Sequence, residues 1–174
     1  MCKDVKVEPS LLPYVQPAIS GNDKDRGRLD VSAIGVWSPC EKSMCDIRVF
    51  HPNAPSHMNR PLPALYAQNE AEKKAAYNDR VLNVENATFT PLVFATTGGM
   101  GMESSRFFKK VAEMLAGKRK EQVSCVLAYV RTRLRFALLR ATLVAVRGVR
   151  GKKSENAIHT EDISFNLIPS VEVD

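Results

Sequence analysis

Two kinds of apolar spacing alternate along the chain and divide it into strands and helices. Residues 28–37 read RLDVSAIGVW, with apolar side chains at alternate positions, and residues 44–50 read MCDIRVF. This spacing is typical of β-strands, and the short connection between the two segments predicts an antiparallel hairpin. Residues 88–97 are rich in β-branched and aromatic side chains, which predicts a third strand. Pro91 within it favours an edge position or a bulge.

Three longer segments carry apolar residues at helical spacing. We predict helices near 65–84, 103–116 and 122–148, with a glycine turn at 98–101 before the second of them. The third helix is the longest, and its predicted apolar face consists of Val123, Leu127, Val130, Leu134, Ala137, Ala141 and Val144. The order of the elements predicts an α/β fold with a small mixed sheet, flanking helices and a long basic C-terminal helix.

The two ends of the chain differ from the segment between them. Residues 1–27 predict an extended, proline-rich entry, 28–150 form the predicted domain, and 151–174 form an acidic tail that we expect to be disordered. No apolar stretch is long enough for a membrane span, and the start of the chain does not resemble a signal peptide. The four cysteines show neither disulfide-framework nor zinc spacing. We therefore expect an intracellular protein without a membrane partner.

The positive charge of the chain is concentrated in residues 106–153. This block holds 14 Lys and Arg residues against 2 Asp and Glu residues, whereas residues 154–174 hold 5 acids and no Lys or Arg. Such asymmetry favours a polyanion held through its phosphates, and the alternative is a solvated helical face without a ligand. The candidate nucleic-acid-binding residues are Lys109, Lys110, Lys118, Arg119, Arg131, Arg135, Arg140 and Arg147. We expect Arg131, Arg135 and Arg140 to lie near one another along the last helix.

Each strand of the predicted hairpin contains one acid, Asp30 in RLDV and Asp46 in CDIR. Asp is costly to bury and rare within strands, so its presence there needs a reason. Two carboxylates on paired strands can converge on a divalent cation, which would suit hydrolysis of a phosphodiester. The alternative is that each Asp ends a strand or pairs with a nearby arginine, Arg28 or Arg48.

Other chemistries have weaker support in the sequence. The three histidines lie in predicted loops or in the tail, and no nucleophile-elbow motif is present. The segment Gly98-Gly99-Met100-Gly101 lacks the remaining elements of a dinucleotide or phosphate-binding loop. A tight strand-to-helix turn explains these glycines better.

Several segments together resemble a known protein group. In order, they are GRLDVSAIGVW, CDIRVFHPNA, EKKAAYNDRV, FTPLVFATTGGMG and RTRLRFALLR. Over roughly residues 4–150 the chain resembles the C-terminal region of reverse-transcriptase-related proteins encoded by mobile elements in invertebrate genomes. That region is similar to the restriction-like, PD-(D/E)xK-type endonuclease of non-LTR retrotransposons. The resemblance implies a restriction-endonuclease-like core.

The resemblance also assigns roles to individual residues. Asp30 matches the first metal-binding acid of the superfamily, and Asp46 matches the acid of its (D/E)xK element. Arg48 stands where the lysine of that element is expected. Some members supply this lysine from the following helix, which implies Lys73 as first choice and Lys74 as second.

The implied function is a divalent-metal-dependent DNA endonuclease domain, or a decayed copy of one, that nicks target DNA. It implies one or two Mg²⁺ or Mn²⁺ ions, DNA and the RNA of the element as partners, and a nuclear location. The reverse transcriptase portion of such proteins is absent from this chain. The alternative is a non-catalytic nucleic-acid-binding remnant that uses the basic block 106–153, and a third possibility is a protein-interaction module that uses the apolar face of the last helix.

Overall fold

The computed structural model describes residues 2–12 and 28–147. Strands β1 (Lys3–Val7), β2 (Val31–Ile34) and β3 (Lys42–Phe50) come first, and a short 3₁₀ turn follows at Pro55–His57. Helix α1 (Leu62–Asn83), strand β4 (Thr88–Ala95) and helices α2 (Met102–Arg119) and α3 (Val123–Arg147) complete the order. The predicted acidic tail at 151–174 lies outside the described residues, as does most of the predicted entry.

The four strands form one mixed sheet in the order β1-β2-β3-β4. The predicted hairpin is confirmed, because β2 and β3 pair antiparallel with Val31 opposite Cys45. β4 lies parallel to β3, with helix α1 as the crossover between them, as parallel neighbours require. The prediction of a mixed α/β sheet with flanking helices is therefore confirmed. The hairpin strand that precedes the turn is shorter than predicted, since β2 covers four residues rather than 28–37.

Strand β1 was not predicted. It pairs antiparallel with β2, with Val7 opposite Val31, and the next residues continue into the core. Leu11 packs in the cluster that contains Leu29 and Met44. The backbone of Leu12 is held at both ends, since its N–H donates to Glu85 at 2.7 Å and its carbonyl accepts from Arg80 at 2.7 Å. Residues 3–12 are therefore an integral part of the sheet layer.

Pro91 lies on β4, which is an edge strand, as predicted. The hydrogen bonds along the outer edge of β4 show why a proline is tolerated there. Alternate residues of β4 turn their backbone N–H groups toward this edge. At Val93 the side chain of Ser104 bonds both backbone groups, accepting from the N–H at 2.7 Å and donating to the carbonyl at 3.1 Å. The N–H of Ala95 donates to the carbonyl of Gly99 at 2.9 Å. Pro91 stands two residues before Val93, where the edge offers a position that needs no donor.

The sheet has helix α1 on one face and helices α2 and α3 on the other. Even-numbered residues of β3 face α1: Met44 packs with Val81, and Phe50 packs with Leu65. The odd-numbered Cys45 belongs to the opposite cluster. That cluster also contains Leu92, Phe94, Phe107, Phe108, Leu134 and Leu138. This alternation decides on which face each candidate functional residue lies.

Candidate active site

Asp46 lies in the middle of β3 on the face covered by α1. Its side chain is only 9% exposed, and its carboxylate forms an ion pair with the ammonium group of Lys73 on α1. The Lys73 ammonium also lies 5.6 Å from the centre of the Tyr77 ring, one helical turn further on. A buried carboxylate is tolerated when a cation compensates it, and Lys73 fills that role here. The structure thus brings together Asp46 and the first-choice lysine.

Asp30 lies next to this pair along the hairpin. Val31 pairs with Cys45, so Asp30 and Asp46 are the next residues on the two strands. The Asp30 carboxylate accepts a hydrogen bond of 2.6 Å from the N–H of Ile47, the residue after Asp46. One Asp30 oxygen therefore satisfies a backbone donor of β3 just beyond the end of β2. This contact places the Asp30 carboxylate beside the Asp46–Ile47 peptide.

Arg48 follows Asp46 on the same face of β3 and forms the second ion pair with α1. It donates to Glu72 at 2.6 Å, and Gln68 donates to the other oxygen of Glu72 at 2.8 Å. The hydrogen bonds from Gln68 and Arg48 hold the pKa of Glu72 below its usual value. Two adjacent pairs, Asp46–Lys73 and Arg48–Glu72, thus join the strand to the helix. Arg48 is bound to the carboxylate of Glu72 on α1. Lys73, and not Arg48, is therefore the cation that contacts Asp46.

Lys74, the second-choice lysine, points to a different partner. It forms an ion pair of 2.8 Å with Glu103 in the first turn of α2. The backbone N–H of Glu103 donates to Glu70 at 3.0 Å. Burial raises the pKa of Glu70, although the hydrogen bond from Glu103 opposes this effect. Lys74, Glu70 and Glu103 therefore fix the start of α2 against α1.

The glycine turn is explained by close packing on α1. A Cβ on Gly99 would overlap the hydroxyl of Tyr66, and a Cβ on Gly101 would overlap the carboxylate of Glu70. Gly98 has a φ of 89°, a conformation that favours glycine. These contacts agree with a tight strand-to-helix turn.

The described residues contain no group of three or more His, Cys, Asp or Glu side chains arranged to hold a metal ion. Mg²⁺ is commonly bound by only one or two carboxylates, with water and substrate phosphates completing its shell. Asp46 and Asp30 fit that smaller donor set in chemistry. Asp46 is a buried carboxylate on β3, and Asp30, just before β2, has a second oxygen besides the one that accepts from Ile47. These two residues would hold such an ion, and Lys73 would have to leave Asp46 for it to bind there.

The candidate nucleic-acid-binding residues lie on α2 and α3, on the face of the sheet opposite Asp46 and Lys73. On α2, Lys109, Lys118 and Arg119 are exposed and Lys110 is half-buried. On α3, Arg131, Arg135, Arg140 and Arg147 are all exposed. The sheet therefore separates the basic helices from the Asp46–Lys73 pair.

The expectation that three arginines of α3 lie near one another is wrong for Arg140. Arg131 and Arg135 are one helical turn apart and share a face. A helix turns by about 100° per residue, so Arg140 lies about 140° away from Arg135. Arg140 instead shares a face with Arg147. The helix thus carries two separate basic faces.

The predicted apolar face of α3 is correct only in its middle, because Val123 at its start and Val144 at its end are exposed. Leu127, Val130 and Leu134 pack inward as expected. The next inward residue is Leu138, whereas Ala137 and Ala141 are exposed. Ala141 lies only about 20° from Leu134 around the helix and is nevertheless exposed, so the last turns of α3 extend beyond the described core.

Comparison with protein-family models, curated proteins and solved structures finds no match to this chain. Among the described helices, none combines the length and apolar character needed to cross a membrane.

Proposed function

We propose that this chain is a divalent-metal-dependent DNA endonuclease domain of retroelement origin. The observation that supports it is the contact between Asp46 on β3 and Lys73 on α1. Both residues were singled out by the resemblance, from segments 27 positions apart in the sequence. Apolar side chains of similar volume often stabilise a core as well as a buried ion pair does, so stability alone does not require this pair.

In this proposal Asp46 and Asp30 hold Mg²⁺ or Mn²⁺. When bound there, the ion would supply a water of lowered pKa and a positive charge beside the phosphate. Lys73, once released from Asp46, orients the attacking water or stabilises charge on the phosphate being cleaved. Arg48 positions α1 through its ion pair with Glu72. This ion pair keeps the neighbouring Lys73 next to Asp46. DNA of the target site and RNA of the element are the proposed partners, and the proposed location is the nucleus.

A plasmid-nicking assay with Mg²⁺ or Mn²⁺, against a chelator control, tests this proposal. Asp46→Asn and Lys73→Met should each lower the nicking rate by at least about 100-fold, the scale expected for loss of one charge-stabilising or proton-transferring group. Lys3→Met is the matched control, because Lys3 is an exposed lysine on β1 that pairs with Ile34, at the end of β2 remote from Asp30. Thermal unfolding of each variant separates loss of chemistry from loss of fold.

Three results would contradict the assignment. Metal-independent nicking would remove the ion from the mechanism. An Asp46→Asn variant that nicks DNA as fast as the parent would show that Asp46 is not part of the active site. Loss of activity in Lys74→Met with full activity in Lys73→Met would move the lysine role to the pair with Glu103.

A non-catalytic nucleic-acid-binding remnant is the second candidate, and one observation favours it. The basic helices lie on the opposite face of the sheet from Asp46 and Lys73. DNA bound to α3 would therefore not contact the carboxylates of Asp46 and Asp30 at the same time. Binding without cleavage would then be the property that remains.

The salt dependence of DNA binding tests this second candidate. Each phosphate that a cation of the protein neutralises adds about 0.9 to the steepness of log K against log salt. Replacing both Arg131 and Arg135 by Gln should flatten the slope by roughly 2 units, if that face binds the backbone. The matched variant replaces Arg140 and Arg147 on the other face. A parent slope near zero would exclude both faces as a nucleic-acid interface.

A further inference from the structure

The second half of α3 presents apolar side chains that no described part of the chain covers. Leu138 is the last of its leucines that packs on the core. Beyond it, Leu139 is 52% exposed and Leu143 is 45% exposed, and Phe136 just before it is 61% exposed. Large apolar residues grouped in this way mark an interaction surface more often than isolated exposed ones do.

These residues share one face of the helix with two arginines. Phe136, Arg140, Leu143 and Arg147 are spaced by four, three and four residues, and Leu139 lies beside them. We call these five residues the outer face of α3. The helix carries no Asp or Glu at all. A surface that covers the outer face must therefore supply both apolar side chains and negative charge.

Two of the available occupants meet only part of this requirement. A nucleic acid supplies phosphates for Arg140 and Arg147 but leaves the phenyl ring and leucines of the face uncovered. A second copy of α3 supplies apolar side chains but brings arginines of both copies together, and like charges in contact are destabilising.

The sequence that follows α3 has both properties. Residues 154–174 contain five acids and no Lys or Arg. The same segment contains seven large apolar residues, which are Ile158, Ile163, Phe165, Leu167, Ile168, Val171 and Val173. Residues 148–153 connect it to α3, and six residues span up to about 20 Å when extended. That reach is enough to return the segment to the last turns of a helix of about 37 Å.

We propose that the C-terminal segment 154–174, for which composition alone predicts disorder, instead docks on the outer face of α3 in the same molecule. Its acids pair with Arg140 and Arg147, and its apolar residues cover Phe136, Leu139 and Leu143. If the chain binds nucleic acid as proposed above, the docked segment competes with phosphates for this face, which makes it an internal regulator of binding.

Amide hydrogen exchange on the full chain tests the docking. The tail variant changes all five acids of the segment to their amides: Glu155→Gln, Glu161→Gln, Asp162→Asn, Glu172→Gln and Asp174→Asn. Amides of residues 139–147 should exchange at least about 10-fold faster in this variant than in the parent, because the last turns of α3 lose their cover. The matched control is Glu113→Gln with Glu121→Gln, two exposed acids outside the segment, and it should exchange like the parent.

A second variant approaches the same interaction from the helix. Phe136→Ser with Leu143→Ser removes apolar area from exposed positions, so the fold is retained. It should raise exchange within residues 154–174 itself. Equal exchange in the parent and in both variants would overturn the proposal.

Oligomeric state and DNA affinity separate the remaining outcomes. A protection of 139–147 that grows with protein concentration, together with a dimer in light scattering, would overturn the intramolecular docking in favour of a second copy. Protection that appears only with anionic vesicles would overturn it in favour of a lipid surface. Concentration-independent protection supports it. If protection depends on the tail while DNA affinity is the same in parent and tail variant, docking is supported and the nucleic-acid role of this face fails alone.

Discussion

The two faces of the sheet are built by different chemistry. Between the sheet and α1, two ion pairs, Asp46–Lys73 and Arg48–Glu72, lie in a row along one strand. Between the sheet and the helices α2 and α3, the contact consists of aromatic and aliphatic side chains with Cys45, together with the uncharged hydrogen bonds between Ser104 and Val93. Burial raises the pKa of the Cys45 thiol to about 12, so it stays neutral. One face is therefore sensitive to charge and the other is not.

This difference suggests separate roles for the two faces: the apolar face contributes stability, and the proposed active site lies on the α1 face. Apolar packing gives stability that does not depend on pH, because no charge changes there. Ion pairs across the α1 face give little net stability for their cost. In the proposed function, Asp46 and Lys73 take part in catalysis, and the pair of Arg48 and Glu72 positions α1.

The largest effect is expected on the apolar face. Phe94→Ala should lower the free energy of unfolding by about 3 to 5 kcal/mol, the range for removing a buried aromatic ring. Phe94 is 4% exposed and packs against Phe108. Urea unfolding should give the same loss at pH 5 and at pH 8. A loss that varies strongly between these values would show that charge matters on this face too.

A smaller loss is expected for Lys73→Met on the α1 face. It removes the cation that pairs with the Asp46 carboxylate, and we expect a loss of about 2 kcal/mol, below the range for fully buried pairs because Lys73 is partly exposed. A double-mutant cycle with Asp46→Asn measures the pair directly. The double variant should lose less than the sum of the two single variants, and strict additivity would contradict the ion pair.

Glu85 should give a loss of about 1 kcal/mol that depends on pH. Burial opposes its charge, but the Leu12 N–H and the Lys42 ammonium hold its pKa below the usual value. A carboxyl with a lowered pKa in the folded state stabilises above its ordinary value of 4.5, and this is lost as the pH falls through the lowered pKa. Glu85→Gln should thus be less stable than the parent at pH 7 and equal to it at strongly acid pH. Equal stability at pH 7 would show that the carboxylate does not hold Leu12.

The smallest effect has the opposite sign. Because burial raises the pKa of Glu70, the folded state prefers this group protonated. Its contribution is then favourable below the ordinary value of 4.5 and is lost as the pH rises through the raised pKa. Glu70→Gln keeps an oxygen that can accept from the Glu103 N–H. We expect it to be more stable than the parent at pH 7 by about 0.5 kcal/mol or less, and thermal unfolding at pH 4 and pH 7 measures the difference. A loss at pH 7 would show that the charge itself is needed at the start of α2.

Apolar spacing predicted the elements that bury a continuous face. The hairpin and the helix predicted near 65–84, which the structure has at Leu62–Asn83, belong to this group. The edge position of Pro91 was predictable from its missing backbone N–H. Strand β1 escaped prediction because KDVKV is short, charged and exposed, and only its pairing with β2 makes it a strand. The contact of Leu12 with Arg80 and Glu85 joins residues far apart in sequence, which spacing does not show.

The candidate site was predictable in a different way. Asp46 stood out because an aspartate within an apolar strand is costly. Its contact with Lys73 was predicted only through the resemblance, since Lys73 and Lys74 look alike in sequence. Their separation depends on the 100° turn between consecutive helix residues, which directs Lys73 to the sheet and Lys74 to Glu103. The division of the arginines of α3 between two faces follows from the same rotation.

The close packing of the glycine turn on α1 also constrains how related sequences can vary. Gly99 lies against Tyr66 and Gly101 lies against Glu70, one turn further along the same helix. A larger residue at either loop position would fit only with a smaller one opposite. Among homologous chains, positions 66 and 99 should therefore change together, as should 70 and 101, and a side chain at 99 beside an intact tyrosine should be selected against.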